Sequence, residues 1–196
     1  MHASTPAVAR HRLLDLAEHW NNHATSAAAD TSSGAFNVWG NSFAREFLPG
    51  PGERVTVGGV PFVFPAGADR GDNVRCAGQH VGVPHGEYDW IHLLAAGERR
   101  VEDEVALHFA DGQVDFEAVR VSDFWAAPAV FGEREAFRTP VMHYPHHVQQ
   151  GVPALLWAQR IPVTRRAPLA AVRLPDHIAL HVFAMTLEQI DRGAPR

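Results

Sequence analysis

The stretch Glu104-Val105-Ala106-Leu107-His108-Phe109-Ala110-Asp111-Gly112-Gln113-Val114-Asp115-Phe116-Glu117-Ala118-Val119-Arg120-Val121 decides the fold class. Its first half alternates, placing Val105, Leu107 and Phe109 on one side, the period of a half-buried strand. Asp111-Gly112 is turn chemistry of the hairpin kind. The spacing therefore predicts a hairpin pairing Glu104–Phe109 with Val114–Val121. In the second arm the apolar side changes between Phe116 and Val119, and a bulge is expected there.

Strand signals continue in both directions. Gly58-Gly59 separates Arg54–Val57 from Val60–Phe64, a second two-residue hairpin, with Pro61 and Pro65 marking an edge or a strand end. Residues 73–83 read as a strand interrupted at Gly78, and Trp90–Ala95 as a short apolar strand. Downstream, 126–138 reads as a loop, 139–144 as a strand, and Pro145–Pro153 as a His- and Gln-rich loop. Leu155–Val163, Val172–Leu174 and Ile178–Leu187 complete the strands. Only Leu13, Leu16, Ala17 and Trp20 have helical spacing, giving a short helix over 13–20. About ten short strands with regular turns predict an all-β fold, a jelly-roll β-sandwich. One domain spans 13–188, between flexible tails at 1–12 and 189–196.

Composition narrows the function classes. The 196 residues are 46% hydrophobic and 20% charged, which excludes a largely disordered chain. There are 17 Arg and no Lys, against 22 Asp and Glu. A net charge of −5 argues against nucleic acid or an anionic membrane as partner. Cys76 is the one cysteine, so no internal disulfide forms. With no secretory h-region and no apolar run of about 20 residues, the expected compartment is the cytoplasm. The chain carries 13 His, so its charge changes steeply between about pH 7 and 5.5.

Several phrases in order resemble one family: Asp15-Leu16 with Asn21-Asn22, Val60-Pro61-Phe62-Val63-Phe64-Pro65, and Asp72-Asn73-Val74 leading to Gly78-Gln79. Tyr88-Asp89-Trp90-Ile91-His92-Leu93-Leu94, Ala110-Asp111-Gly112, Ser122-Asp123-Phe124-Trp125 and Leu180-His181-Val182-Phe183-Ala184 follow. Together, from about Asp15 to Glu188, they resemble the galactose-binding-like β-sandwich domains attached to actinobacterial glycoside hydrolases. The resemblance implies a sugar-binding or structural accessory role and identifies no catalytic residue.

The densest cluster of chemistry is Met142-His143-Tyr144-Pro145-His146-His147-Val148-Gln149-Gln150. If the chain turns at Pro145, His143, His146 and His147 can converge on a divalent transition metal such as Zn; Ca is the other candidate ion, and a solvated polar loop is the alternative. Asp123 beside Phe124-Trp125 has the makings of a sugar site, in which a ring stacks on pyranose C–H groups and a carboxylate takes hydroxyl protons. The alternative is a Trp packed over the end of the sandwich. Trp39, Asp123, Trp125 and Tyr144 are thus the candidate ligand-binding residues. His181 alternates with apolar neighbours and reads as a satisfied core histidine, while His92 and His108 read as facing solvent or a neighbouring sheet. Asp115 and Glu117 share a strand face as a carboxylate pair, more simply solvated than catalytic. Cys76 reads as an inert core thiol, and no nucleophile elbow or phosphate loop is present.

Three readings follow. The first is binding of a carbohydrate or sugar-like small molecule. The second is a metal- or His-dependent enzyme acting on a polyol or sugar-derived substrate. The third is a protein interaction module, and homo-oligomerisation is compatible with all three.

Overall fold

A computed structural model describes residues 10–67, 69–125 and 128–189. Its strands are β1 (His11–Leu14), β2 (Thr25–Ser26), β3 (Ser42–Ala44), β4 (Arg54–Val57), β5 (Val60–Val63), β6 (Val74–Arg75) and β7 (His80–Gly86). They continue with β8 (Tyr88–Gly97), β9 (Val101–Phe109), β10 (Val114–Val121), β11 (Arg134–Tyr144), β12 (His147–Pro162), β13 (Leu169–Arg173) and β14 (Leu180–Gln189). The large sheet runs β1-β14-β8-β12-β11-β3-β2, with β6 also on β14. The small sheet runs β10-β9-β13-β7, and β4-β5 is a separate hairpin. The fold is an all-β sandwich, as the alternation at 104–121 predicts.

The large sheet is covered on both faces. Leu93, Ala95, Leu155, Trp157, Val182 and Leu187 pack with Val105, Leu107, Val119 and Val172 of the small sheet. Leu94, Ala96, Leu156 and Phe183 face the opposite way, where Phe62 and Phe64 of the β4–β5 arm and Phe36, Phe43 and Phe124 cover them. This explains the near-continuous apolar run Ile91–Ala96 in β8, since a strand buried on both faces has no polar side to show. Each large side chain so buried contributes roughly 1.5–3 kcal/mol.

The hairpin at Asp111-Gly112 forms, with Val114 opposite His108 and Val121 opposite Val101. The expected bulge does not, because the register is unbroken and the odd positions face inward throughout. Phe116 simply sits on the outer face, 64% exposed. The Gly58-Gly59 turn also forms, with φ of 59° and 85°, the left-handed pair that such a turn needs.

Other expectations give way to long-range pairing. Leu13 and Leu14 belong to β1, leaving only a 3₁₀ turn at Ala17–His19. An eight-residue helix cannot repay its nucleation, whereas β14 offers β1 a ready ladder. For the same reason the ends of the domain lie further out than 13 and 188. His11 and Arg12 pair with Glu188 and Leu187, and Gln189 pairs with Tyr88; 1–9 and 190–196 lie outside the described residues. The segment expected to loop over 126–138 is strand from Arg134 onward. Pro145–Pro153 is not a loop either: Tyr144 pairs with His147, so Pro145-His146 is a two-residue turn. Gly151 to Pro153 are accommodated in an irregularity between the Thr139–Ala154 and Val141–Gln150 pairs, where a proline costs no ladder bond. No helix among the described residues is long and apolar enough to cross a membrane.

Candidate functional site

Four segments converge at one end of the sandwich on a cavity of about 710 Å³. The loop before β3 supplies Asn37, Trp39 and Asn41. The β8–β9 turn supplies Glu98 and Arg99, the segment after β10 supplies Asp123, Phe124 and Trp125, and the end of β11 supplies Tyr144. Trp39, Asp123, Trp125 and Tyr144, the four residues read from the sequence as ligand-binding, therefore line one space.

Local chemistry shapes each wall. Asn37 Oδ1 accepts from the backbone N–H groups of Trp39 and Asn41, both at 3.1 Å, so the loop is folded around a side-chain acceptor. Gly40 follows with φ 70°, and a Cβ there would meet Pro145 Cγ at 2.8 Å. The Trp39 loop thus rests on the β11–β12 turn, which brings Tyr144 to the same wall. Opposite, Gly97 and Asp123 form a parallel bridge, and Phe124 N–H donates to Gly97 O at 2.9 Å. Trp157 Nε1 donates to Asp123 O at 3.0 Å, tying this wall to the core.

Trp39 and Trp125 are 58% and 52% exposed, so both rings have a free face. Trp125 stacks on Phe124 at 6.2 Å between centroids. Burial holds the Asp123 carboxyl above its usual range, outweighing hydrogen bonds from Trp125 and Phe124 and the charge of Arg99. Glu98 is perturbed the other way. Burial raises it, but the hydrogen bond from His181 and the Arg75 guanidinium prevail and hold it low. Asn41 is buried, and its Oδ1 has no hydrogen-bond partner among the described residues.

Beneath Glu98 lies a buried polar chain. His181 is fully buried, with Nδ1 2.8 Å from Asn73 Oδ1 and Nε2 3.3 Å from Glu98 Oε1. Asp72 accepts from the backbone N–H of Ala24 and Thr25 and from Asn73 Nδ2. His181 is the satisfied core histidine that its apolar neighbours suggest.

The three histidines do not converge. His143 is 1% exposed and its Nδ1 lies 2.8 Å from Ser26 Oγ. His146 and His147 are exposed at the hairpin turn, with the His147 ring stacked on Tyr144. A strand alternates its side chains, so His143 faces the interior while the turn presents the other two outward. Among the described residues no group of three or more His, Cys, Asp or Glu could hold a metal ion. The expected convergence of His143, His146 and His147 on one metal ion, Zn or Ca, is therefore not what the strand pairing produces.

Of the other assignments, that of His92 changes, while Asp115, Glu117 and Cys76 are non-catalytic as expected. His92 does not face solvent; it is buried against Glu188, with Nε2 2.7 Å from Oε2. Asp115 is committed to a two-point ion pair with Arg165, and Glu117 accepts from Thr164 Oγ1, which makes both structural. Cys76 is buried, and burial with the Asp103 charge pushes its thiol far up, the state of an unreactive core sulfur.

The sequence reading missed Asn37, Asn41, Glu98 and Arg99. The pair of Asn flanking Trp39 in a glycine-containing loop was a usable signal. Glu98 and Arg99 looked like an ordinary polar turn, and only the bridge to Asp123 turns them toward a cavity. A family model describing AziU2-like β-sandwich domains matches residues 10–191. The chain belongs to that family. This AziU2-like domain therefore keeps the sandwich part of the galactose-binding-like resemblance under a different family. No curated protein matches it. Family membership names no ligand, so the chemistry of the AziU2-like domain has to be read from the cavity.

Proposed function

We propose that the cavity binds a carbohydrate or a sugar-like polyol. Such a ligand has apolar C–H faces and a rim of hydroxyls, and the cavity offers a surface for each. Trp39, Trp125 and Tyr144 give rings for the C–H faces. Asp123 and Asn41 give acceptors and Arg99 a donor for the hydroxyls. The observation that carries the reading is that two half-exposed indole rings, Trp39 and Trp125, line one cavity together with the Asp123 carboxyl. The test is titration of the full chain with a panel of neutral mono- and disaccharides, read by tryptophan fluorescence and calorimetry. A saturable quench lost in Trp125→Ala supports the reading; no response to any neutral sugar or polyol overturns it.

One observation favours a catalytic extension. Asp123 and Glu98 line the same cavity with carboxyls displaced to opposite sides of their usual range, the pattern of an acid and a base sharing a site. Such a pair could serve hydrolysis or elimination on a sugar-derived substrate, with Asp123 giving a proton and Glu98 taking one. Aryl glycosides assayed with Asp123→Asn and Glu98→Gln test it. Turnover lost in both variants supports catalysis, and its absence from the unmodified protein leaves binding alone.

A further inference from the structure

A second cavity, about 380 Å³, lies between the β4–β5 hairpin and the large sheet and shares no lining residue with the first. Arg134 and Arg160 reach into it from an exposed rim, and His92, Gln159 and Glu133 also line it. The sheet register sets their spacing. Arg134 stands opposite Ala158, two residues before Arg160, which stands opposite His92. The two arginines are therefore diagonal neighbours on one face, roughly 7–8 Å apart at the backbone, a span over which two long side chains can converge on one group.

Neither guanidinium has a carboxylate partner among the described residues, whereas Arg10, Arg75, Arg120, Arg138, Arg165 and Arg166 each have one. Instead both are held by uncharged supports. Arg160 lies over the Trp90 ring at 4.1 Å. Arg134 lies along the Gly58 turn, where an added Cβ would come within 3.2 Å of its Nε. The nearby acids are already spent. Glu133 accepts from the Ser122 and Phe131 backbone N–H groups, and Glu188 is shared by His92 and Arg10. Two arginine charges on one face, braced and without an ion-pair partner among the described residues, are placed for an anion to bridge them, while the Glu133 carboxylate in the lining is turned to the Ser122 and Phe131 backbone N–H groups.

We propose that this cavity binds the phosphate group of a small phosphomonoester. A tetrahedral dianion presents enough oxygens to engage two separate guanidinium forks at once, which a planar monocarboxylate does not. Val57, Val60 and Phe62 line the rest of the cavity and provide an apolar seat for the organic part of the ester. The site is independent of the sugar-binding reading.

The experiment is calorimetric titration of the full chain with inorganic phosphate and with glycerol 1-phosphate at constant ionic strength, against chloride, acetate and glycerol. Saturable binding of both phosphates is expected, tighter for the ester. Arg134→Gln and Arg160→Gln should each weaken it roughly ten- to a hundredfold. Arg160→Gln also removes the stack on Trp90, so thermal melts accompany each variant, and Arg134→Gln at the exposed rim serves as the variant expected to stay folded. Ala158→Glu, which sets a carboxylate between the two forks, should abolish phosphate binding and raise Tm. Trp125→Ala should leave it unchanged. A phosphate response no larger than that of chloride or acetate, or full phosphate affinity in Arg134→Gln, overturns the proposal.

Discussion

His181 Nε2 stands 3.3 Å from Glu98 Oε1, joining a fully buried ring to a carboxylate in the cavity wall. The tautomer follows from the other nitrogen. Asn73 Nδ2 donates to Asn22 and Asp72, so Asn73 Oδ1 is left to accept, and His181 Nδ1–H must donate to it. The proton that titrates is then the one on Nε2, so His181 donates to Glu98 only when the ring is protonated, and the Arg75 guanidinium holds the carboxyl low while the ring is neutral. Nitrogen-detected NMR at neutral pH should show His181 as the Nδ1–H tautomer; an Nε2–H ring would contradict this network.

Stability should fall on acidification in two stages. Burial lowers the pKa of His181 and of His92, against the opposing pull of Glu98 and Glu188. The unfolded chain therefore takes up these protons first, below about pH 6.5, and stability drops as pH falls from there toward the folded values. Glu98 and Glu188 are held low in the folded state, so their contribution is present above about pH 4.3 and is lost as pH falls through the folded values. Asp123, held high, opposes this second loss. Thermal melts between pH 7 and pH 3 check the signs, and His181→Gln should flatten the first stage. A Tm that stays constant from pH 7 to pH 5 would show that neither histidine is buried in its neutral form.

Asp72 organises the chain beneath the cavity, accepting backbone N–H bonds from Ala24 and Thr25 at 2.7 and 3.0 Å and one from the Thr25 hydroxyl. Hydrogen bonds to a charged group are worth roughly 1.5–3 kcal/mol each. Asp72→Ala should cost about 3 kcal/mol or more in chemical denaturation, far beyond a surface change. A loss under about 1 kcal/mol would mean the network is held elsewhere.

The histidines of the β11–β12 hairpin should separate by burial. His146→Ala and His147→Ala at the exposed turn should change stability by no more than about 0.5 kcal/mol. His143→Ala removes one of the two side-chain partners of Ser26 Oγ in the interior, the other being Ser42 Oγ, and should cost about 1–3 kcal/mol. Equal effects at all three positions would argue for a shared role.

Asn37 should act on binding through Trp39. Asn37→Ala deletes the acceptor for two backbone N–H groups and frees the loop. Sugar affinity should fall several-fold, with a stability loss of about 1–2 kcal/mol. Asn37→Asp keeps the acceptor and should restore most of both, an outcome that a direct ligand contact through the Asn37 amide N–H would not produce.

Local sequence determined the features that need only neighbours. Alternation plus Asp111-Gly112 specifies one hairpin, Gly58-Gly59 a second, and the apolar run Trp90–Ala95 a strand. The acid and aromatic pair at Asp123-Phe124-Trp125 come to one wall of the cavity because they sit on one short segment. What lay beyond that reading depends on partners far apart in the chain. Phe116 looked like core because hydrophobicity alone does not say which face of the small sheet is covered. His143 looked like a ligand beside His146 and His147 until pairing with β3 and β12 turned it inward toward Ser26, 117 positions away. Glu98 meets His181 across 83 positions, and Arg134 meets Arg160 only through the β11–β12 register. A one-residue change in such a register sends every side chain of a strand to the other face. The content of the two cavities was therefore decided by tertiary pairing, while the sequence by itself decided that there would be strands to pair.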